Sequence, residues 1–202
     1  MTHIILAQMD DRYHLRQMRN SREEKAKSRQ RILAITAQRI REQGVDGPGV
    51  AEIMKAAGMT HGGFYKHFDS RDDLIAAAVE TAMRDPNEGM ATVIANARDP
   101  LAAFVDWYVS ADHVADPGHG CGVAALTGDI AHSDTRLRGA YHAQVERYLT
   151  ALEDMLGTRS QATVALTTLV GAVTVARALG TTPLADEILR DVRQALKARP
   201  TD

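Results

Sequence analysis

Residues 57–79 read AGMTHGGFYKHFDSRDDLIAAAV. Just upstream, Val50, Ile53, Met54 and Ala57 repeat at i, i+3, i+4 and i+7, the spacing of a short amphipathic helix. Gly58 stops it, because glycine tolerates the left-handed backbone of a tight turn. Thr60 is placed to cap a further helix, His61 to Phe68. Ser70 with Asp73 resembles a capping box for the next one. There Leu74, Ile75, Ala78, Val79, Ala82 and Met83 form one apolar stripe. Two short helices about a glycine turn have the layout of a helix-turn-helix, which an ordinary αα-corner shares.

Working outward, the pattern stays helical. From Ser28, residues Ile32, Leu33, Thr36, Ala37 and Ile40 lie on one face, and Gly44 ends that helix. Gly47-Pro48-Gly49 is a turn. Residues 1–20 carry Arg12, Arg16 and Arg19 with little apolar periodicity, and are read as a basic arm, loosely ordered or a frayed helix start. Downstream, Asp85-Pro86-Asn87 breaks the stripe. Asp99-Pro100 opens a helix to about Ala111, and residues 116–120 form a loop. Cys121 to Ala131 is a short apolar helix. Ser133 or Asp134 starts a long one that Gly157 ends. Residues 160–179 and a last helix from Thr182-Pro183 to about Ala198 complete an all-α chain.

The chain has 202 residues, 45% hydrophobic and 25% charged, which fits a globular protein rather than a disordered one. Its single Cys excludes an internal disulfide and a four-Cys zinc site. No apolar run of about 18 residues stands out as a membrane span, and the amino terminus lacks a basic secretory n-region, so a cytoplasmic location without membrane contact is expected. Charge is uneven. Through Arg71 there are 13 Lys and Arg against 8 Asp and Glu; beyond it there are 11 against 18. A basic head on an acidic body points to a polyanion met by the head alone, or to a solvated bias with no partner.

The physics of the quoted stretch fits DNA. A helix fits the major groove, and its N-terminus carries partial positive charge and free N–H groups suited to phosphate. Gly62 and Gly63 let backbone approach a duplex closely, while each costs about 1 kcal/mol of helix stability relative to alanine.

Residues 57–79, with RQRILAITAQRIREQG at 29–44, closely resemble the DNA-binding signature of the TetR family of bacterial transcriptional regulators. GCGVAALTGDIA and VGAVTVARAL…LADEIL resemble effector-domain helices of one branch of it. The resemblance implies a three-helix DNA-binding domain over residues 21–71, preceded by the arm 1–20, and a helical ligand-binding and dimerisation domain over 72–202. It implies base reading by Thr60, His61, Gly62, Gly63 and Lys66, and phosphate contacts by Tyr65, His67 and Arg71, the last where the family usually has lysine. Ser28 falls where the family often has a phosphate-touching threonine. Gly49 departs from the usual threonine or serine at the start of the second helix, which puts that cap and its contact in doubt. Each residue has a plainer alternative: Tyr65 as packing, His67 as a helix-end histidine, Lys66 as solvated surface, Arg71 as the partner of Asp69 or Asp73.

For the body, the resemblance implies an effector pocket among Trp107, Tyr108, Cys121, Leu126, Tyr141 and Tyr148, which are equally suited to a core. It implies an intersubunit four-helix bundle using Leu166, Leu169, Val170 and Val173 with Leu189 and Val192; the alternative is that they face their own core. A two-fold pair would set two reading heads about one DNA turn, ~34 Å, apart. Cys121 starts a helix after a glycine-rich loop, which favours a reactive thiol, against the reading of a small buried residue. His113, His119, Cys121 and His132 match no standard metal spacing. No nucleophile elbow, phosphate loop or HExxH is present, so neither an enzyme nor a cofactor is expected. The expectation is a ligand-responsive regulator, a repressor released from double-stranded operator DNA by a small-molecule effector. The alternatives are a redox- or electrophile-sensing repressor acting through Cys121, and a helical protein-interaction module.

Overall fold

The computed structural model describes residues 2–84 and 94–198, with side chains from Arg22 onward. The expected break at Asp85-Pro86-Asn87 lies outside the described residues. Nine α-helices carry labels: α1 (Thr2–Gln43), α2 (Val50–Ala56), α3 (Arg71–Arg84), α4 (Pro100–Tyr108), α5 (Ala111–Ala115), α6 (Gly122–Ala131), α7 (Thr135–Leu156), α8 (Arg159–Leu179) and α9 (Pro183–Lys197). Two 3-10 segments, His61–Lys66 and Pro117–His119, complete the named elements, and there is no strand among the described residues. The chain is all-α.

Helix termini follow local chemistry. Asp99, Asp134 and Thr182 accept hydrogen bonds from the amides of Ala102, Leu137 and Ala185. The Ser70 hydroxyl accepts from the Asp73 amide at 3.1 Å, as its spacing implies. Gly44 closes α1 at φ +80, and its amide donates to the Ile40 carbonyl at 2.9 Å. α1 differs from expectation at its other end. Its backbone is helical back to Thr2, where a loosely ordered arm was expected. No Gly or Pro interrupts residues 2–43, so nothing in the backbone stops the helix. The helix from Asp99 is shorter than expected: it stops at Tyr108, and Ser110 caps the separate α5 through the His113 amide.

Two apolar cores form. In the head, Ile32, Ile53, Met54, Ala57, Phe64, Phe68, Leu74 and Ala77 pack together. Truncating Phe64 or Phe68 to Ala there would cost about 3–5 kcal/mol. The body core gathers α3 through α9 around residues such as Val79, Phe104, Tyr108, Leu126, Leu152 and Leu169. α8 is long and apolar enough to cross a membrane by length and composition, with a mean hydropathy of 1.6, contrary to expectation. Here Ala162, Leu166, Leu169, Val173 and Ala176 bury one side of it against α7 and α9, as in the core helix of a globular body.

α1 also bridges the two cores. Near its end the buried Arg41 donates through Nε to the Gly118 carbonyl at 2.7 Å. Just past its end the Val45 amide donates to Asp129 Oδ1 of α6 at 3.2 Å.

Candidate nucleic-acid interface

The second element of the helix-turn-helix is a 3-10 segment, His61–Lys66, where an α-helix to Phe68 was expected. The Gly63 amide donates to the Thr60 carbonyl and the His67 amide to the Phe64 carbonyl, both at 2.9 Å. Adjacent glycines lower helix stability, and a short run settles for the tighter i to i+3 pattern. Thr60 occupies the cap position, yet its side chain makes no capping bond. The preceding turn is set by Gly58 at φ +72, a conformation that favours glycine.

The segment is anchored from below and open above. Phe64 and Phe68 are buried, with ring centroids 5.8 Å apart. Thr60, His61, Gly62, Tyr65 and Lys66 are exposed, and Gly63 is half-buried. Tyr65 is 71% exposed and meets the edge of Phe64 at 5.2 Å, which leaves its hydroxyl end in solvent. A Cβ on Gly62 would meet nothing within 4 Å. Packing within the chain therefore does not require glycine there. Gly49 is likewise exposed with open space around it; it caps α2 through backbone alone, with the Ile53 amide donating to its carbonyl at 3.0 Å.

Positive charge gathers on one flank. The half-buried His67 has its Nδ1 shielded from solvent with no hydrogen-bond partner. Burial first, then Lys25, Arg29 and Lys66, hold its imidazole below the ordinary value. The Arg29 guanidinium lies 4.8 Å from the Phe68 ring centroid, a cation–π contact. Ser28, half-buried, sits on α1 beside Arg29. Arg71 is placed differently from the rest: it donates to the Val45 carbonyl at 2.9 Å and lies 4.0 Å from Asp46, turned to the α1–α2 loop. The phosphate contact expected of it would compete with this clamp, and its partners are not the Asp69 or Asp73 weighed from sequence.

The body residues separate into two groups. Tyr108, Cys121 and Tyr148 come together, and burial followed by the Cys121 thiol pushes both phenols well above their ordinary value. Trp107 stacks on the buried His113 at 4.6 Å. Leu126 is fully buried in the core. Tyr141 stands apart, its hydroxyl 2.9 Å from that of Thr127. Cys121, buried at 4% exposure, takes the place of a packing residue at the α6 N-cap. His113 Nδ1–H donates to the Tyr108 carbonyl at 2.6 Å, and its Nε2 accepts from the Cys121 amide at 3.0 Å. Sequence reasoning missed Arg177, which donates to the carbonyls of His113 and Val114 and braces that turn.

The residues expected at a subunit interface, or else in their own core, lie against their own core in the single chain. Leu166, Leu169, Val173 and Leu189 are buried within their own chain, and Val170 and Val192 are half-buried against the same core. They are the apolar stripe of α8 and α9, and the stripe is consumed by the fold. The exposed face of α8 is the other one, with Val164, Thr167, Gly171 and Val175.

Residues 32–78 match the model for bacterial regulatory proteins, tetR family. A 58-residue stretch is 38% identical to the HTH-type transcriptional regulator AcrR of Shigella flexneri, covering 29% of this chain and 27% of that protein. A TetR transcriptional regulator from Chloroflexus aurantiacus shares the fold with a TM-score of 0.73 at 23% identity, over 86% of this chain and 94% of that one. Reduced NemR from E. coli gives a TM-score of 0.71 at 20% identity, over 87% and 100%. AcrR and the Chloroflexus protein are transcriptional regulators. The two structures speak for the fold, and the head carries the sequence kinship. Over residues 32–78 this chain is thus similar to bacterial regulatory proteins of the tetR family, within a fold shared along most of its length.

Proposed function

We propose that this chain is a DNA-binding transcriptional regulator, a repressor that leaves its operator when a small-molecule effector occupies the body. The observation that carries the reading is the Thr60–Lys66 segment, seated on Phe64 and Phe68 with its polar and aromatic side chains outward. Such a rod suits a major groove, and the cations beside it suit phosphate. Base edges are assigned to Thr60, His61, Gly62, Gly63 and Lys66, and backbone contacts to Ser28, Gly49, Tyr65 and His67, with Arg71 shared between phosphate and the Val45 loop.

The proposed division of labour is the arm 1–20, a reading head over 21–71, and a body over 72–202, with Leu74 and Ala77 at the start of α3 still packed in the head core. A second copy pairs through the exposed face of α8, Val164, Thr167, Gly171 and Val175, with Leu184 of α9. Pairing doubles the DNA contacts and fixes the spacing of the heads. The effector is assigned to the body around Tyr108, Cys121 and Tyr148, with the half-buried Trp107 and Tyr141 nearer solvent and Leu126 as wall. It acts by preferring a body conformation whose heads no longer match the operator. The Asp129–Val45 and Arg41–Gly118 bonds are the material links between body and head.

Electrophoretic mobility shift with the DNA flanking its own gene tests the reading. A discrete, salt-sensitive complex of two chains per site supports it. Absence of retardation at low salt overturns it in favour of a protein-interaction module.

A further inference from the structure

The chain between α5 and α6 is gripped by two arginines. From the head, Arg41 of α1 donates through Nε to the Gly118 carbonyl at 2.7 Å. From the body, Arg177 of α8 donates through Nη2 to the His113 carbonyl at 2.8 Å and through Nε to the Val114 carbonyl at 3.2 Å. Gly120 admits the guanidinium, since a Cβ there would lie 2.8 Å from Arg177 Nη2. Both arginines line one cleft of about 600 Å³, bounded by the end of α1 and by α5, α6, α8 and the start of α9. Its walls are small and apolar, with Val114, Ala125, Ala185 and Leu189. Tyr108, Cys121 and Tyr148 do not line it, so it is separate from the body site assigned above.

We propose that this cleft binds a small amphipathic carboxylate, its acid group on Arg41 and Arg177 and its apolar part along Val114, Ala125 and Leu189, as a second ligand site at the junction of head and body. Arg177 spends Nε and Nη2 on neutral carbonyls, while its Nη1 is shielded from solvent with no hydrogen-bond partner. A shielded donor without an acceptor is costly, and an anion supplies the acceptor. Burial first holds this guanidinium below its ordinary value, with Cys121, Tyr108 and Asp116 acting the other way. The carboxylates that line the cleft do not fill the role. Glu42 accepts from Gln38 at 2.9 Å and from Arg39 at 3.3 Å, and Asp186 is exposed in the first turn of α9. A carboxylate outcompetes a main-chain carbonyl for a guanidinium and can take two of its donors. Occupancy therefore competes with the Arg41–Gly118 bond, one of the links between body and head. The consequence for DNA rests on the regulator reading above; the binding does not.

The test is isothermal titration calorimetry on the full chain with 4-cyclohexylbutanoate, and with 4-cyclohexylbutan-1-ol as its uncharged counterpart. The chains are the parent, Arg177→Gln, Ala125→Phe and Arg138→Gln. Ala125 is half-buried, and a larger side chain there occupies the cleft with both arginines intact. Arg138 is an exposed α7 cation bonded to the Ala131 carbonyl and serves as the control. The parent should bind the acid saturably at millimolar concentration or below, and the alcohol about ten-fold more weakly or worse, the scale of one charge-assisted contact. Arg177→Gln and Ala125→Phe should each lose about ten-fold or more, and Arg138→Gln should match the parent. Thermal unfolding of each variant reports folding; should Arg177→Gln not fold, Ala125→Phe and the alcohol decide. Absence of saturable heat, equal affinity for acid and alcohol, or undiminished binding by folded Ala125→Phe overturns the site. In a mobility shift, saturating acid should weaken the parent's DNA complex by about ten-fold. A complex unmoved by the bound acid overturns the coupling through Arg41. Calorimetry needs no DNA, so a parent that binds the acid but no duplex upholds the site and overturns only the regulator reading.

Discussion

Val45 is held from two sides: its amide donates to Asp129 Oδ1 of the body at 3.2 Å, while its carbonyl accepts from Arg71 of α3 at 2.9 Å. The loop between α1 and α2 thus reports on both units. Gly44 makes the approach possible, since a Cβ there would lie 3.1 Å from Asp129 Oδ1 at a φ of +80.

Asp129→Ala should destabilise the chain by about 1–2 kcal/mol, the cost of a partly buried amide left without its acceptor. Gly44→Ala should cost at least as much, because alanine at positive φ adds about 1–2 kcal/mol. Urea unfolding midpoints check both. If Asp129→Ala matches the parent in stability and in effector response, the bond is not a link between body and head.

Arg41 is buried at the end of α1 and bonds to the Gly118 carbonyl at 2.7 Å. Arg41→Met keeps the apolar stem and removes the donor. The expected loss is about 1.5–3 kcal/mol, the range for a hydrogen bond to a charged group. Chemical denaturation with an unchanged m-value is the check; a loss below about 0.5 kcal/mol would show that the contact is spectator packing.

His113 predicts a direction of pH dependence. Burial lowers its pKa, and both ring nitrogens are engaged in the neutral form. The unfolded chain therefore binds this proton more readily than the folded one. The contribution to stability is fully present above the ordinary imidazole value of about 6.5 and is lost as pH falls from there toward the lowered value. In His113→Gln this component of the stability-against-pH curve should vanish. A parent curve flat across that interval would contradict it.

His67 runs in the opposite sense on DNA. In the free chain burial, Lys25, Arg29 and Lys66 keep it low. A nearby phosphate raises it, so binding takes up a proton. Affinity should rise as pH falls toward the lowered free value in the parent, and much less in His67→Asn. Parallel profiles for the two would remove His67 from the phosphate contacts.

Local signals were legible where one turn of chain decides the outcome. Asp99, Asp134 and Thr182 cap as their spacing implies, and Gly44 and Gly157 close helices at positive φ. Of the candidate surface, Thr60, His61, Gly62, Gly63 and Lys66 were picked out by family resemblance, and all are exposed except the half-buried Gly63. The rest depends on distant contacts. Nothing in the periodicity of α8 says which stripe meets its own core, so Leu166, Leu169 and Val173 were open to a partner or to their own core; they are buried in their own chain while Val164 and Gly171 hold the exposed face. Arg71 has a loop 26 positions away as its partner, beyond any local pattern.

Tyr65 and Lys66 decide the central claim, that the segment after Gly58 reads a duplex. Both are exposed, so Tyr65→Ala/Lys66→Ala should leave the unfolding free energy within about 0.5 kcal/mol of the parent. Mobility shift on the DNA flanking the gene is the direct measurement. The expected result is retardation by the parent and a loss of ten-fold or more in the folded double variant, equivalent to about 1.4 kcal/mol. Equal retardation by parent and variant, or none by the parent at low salt, would contradict it.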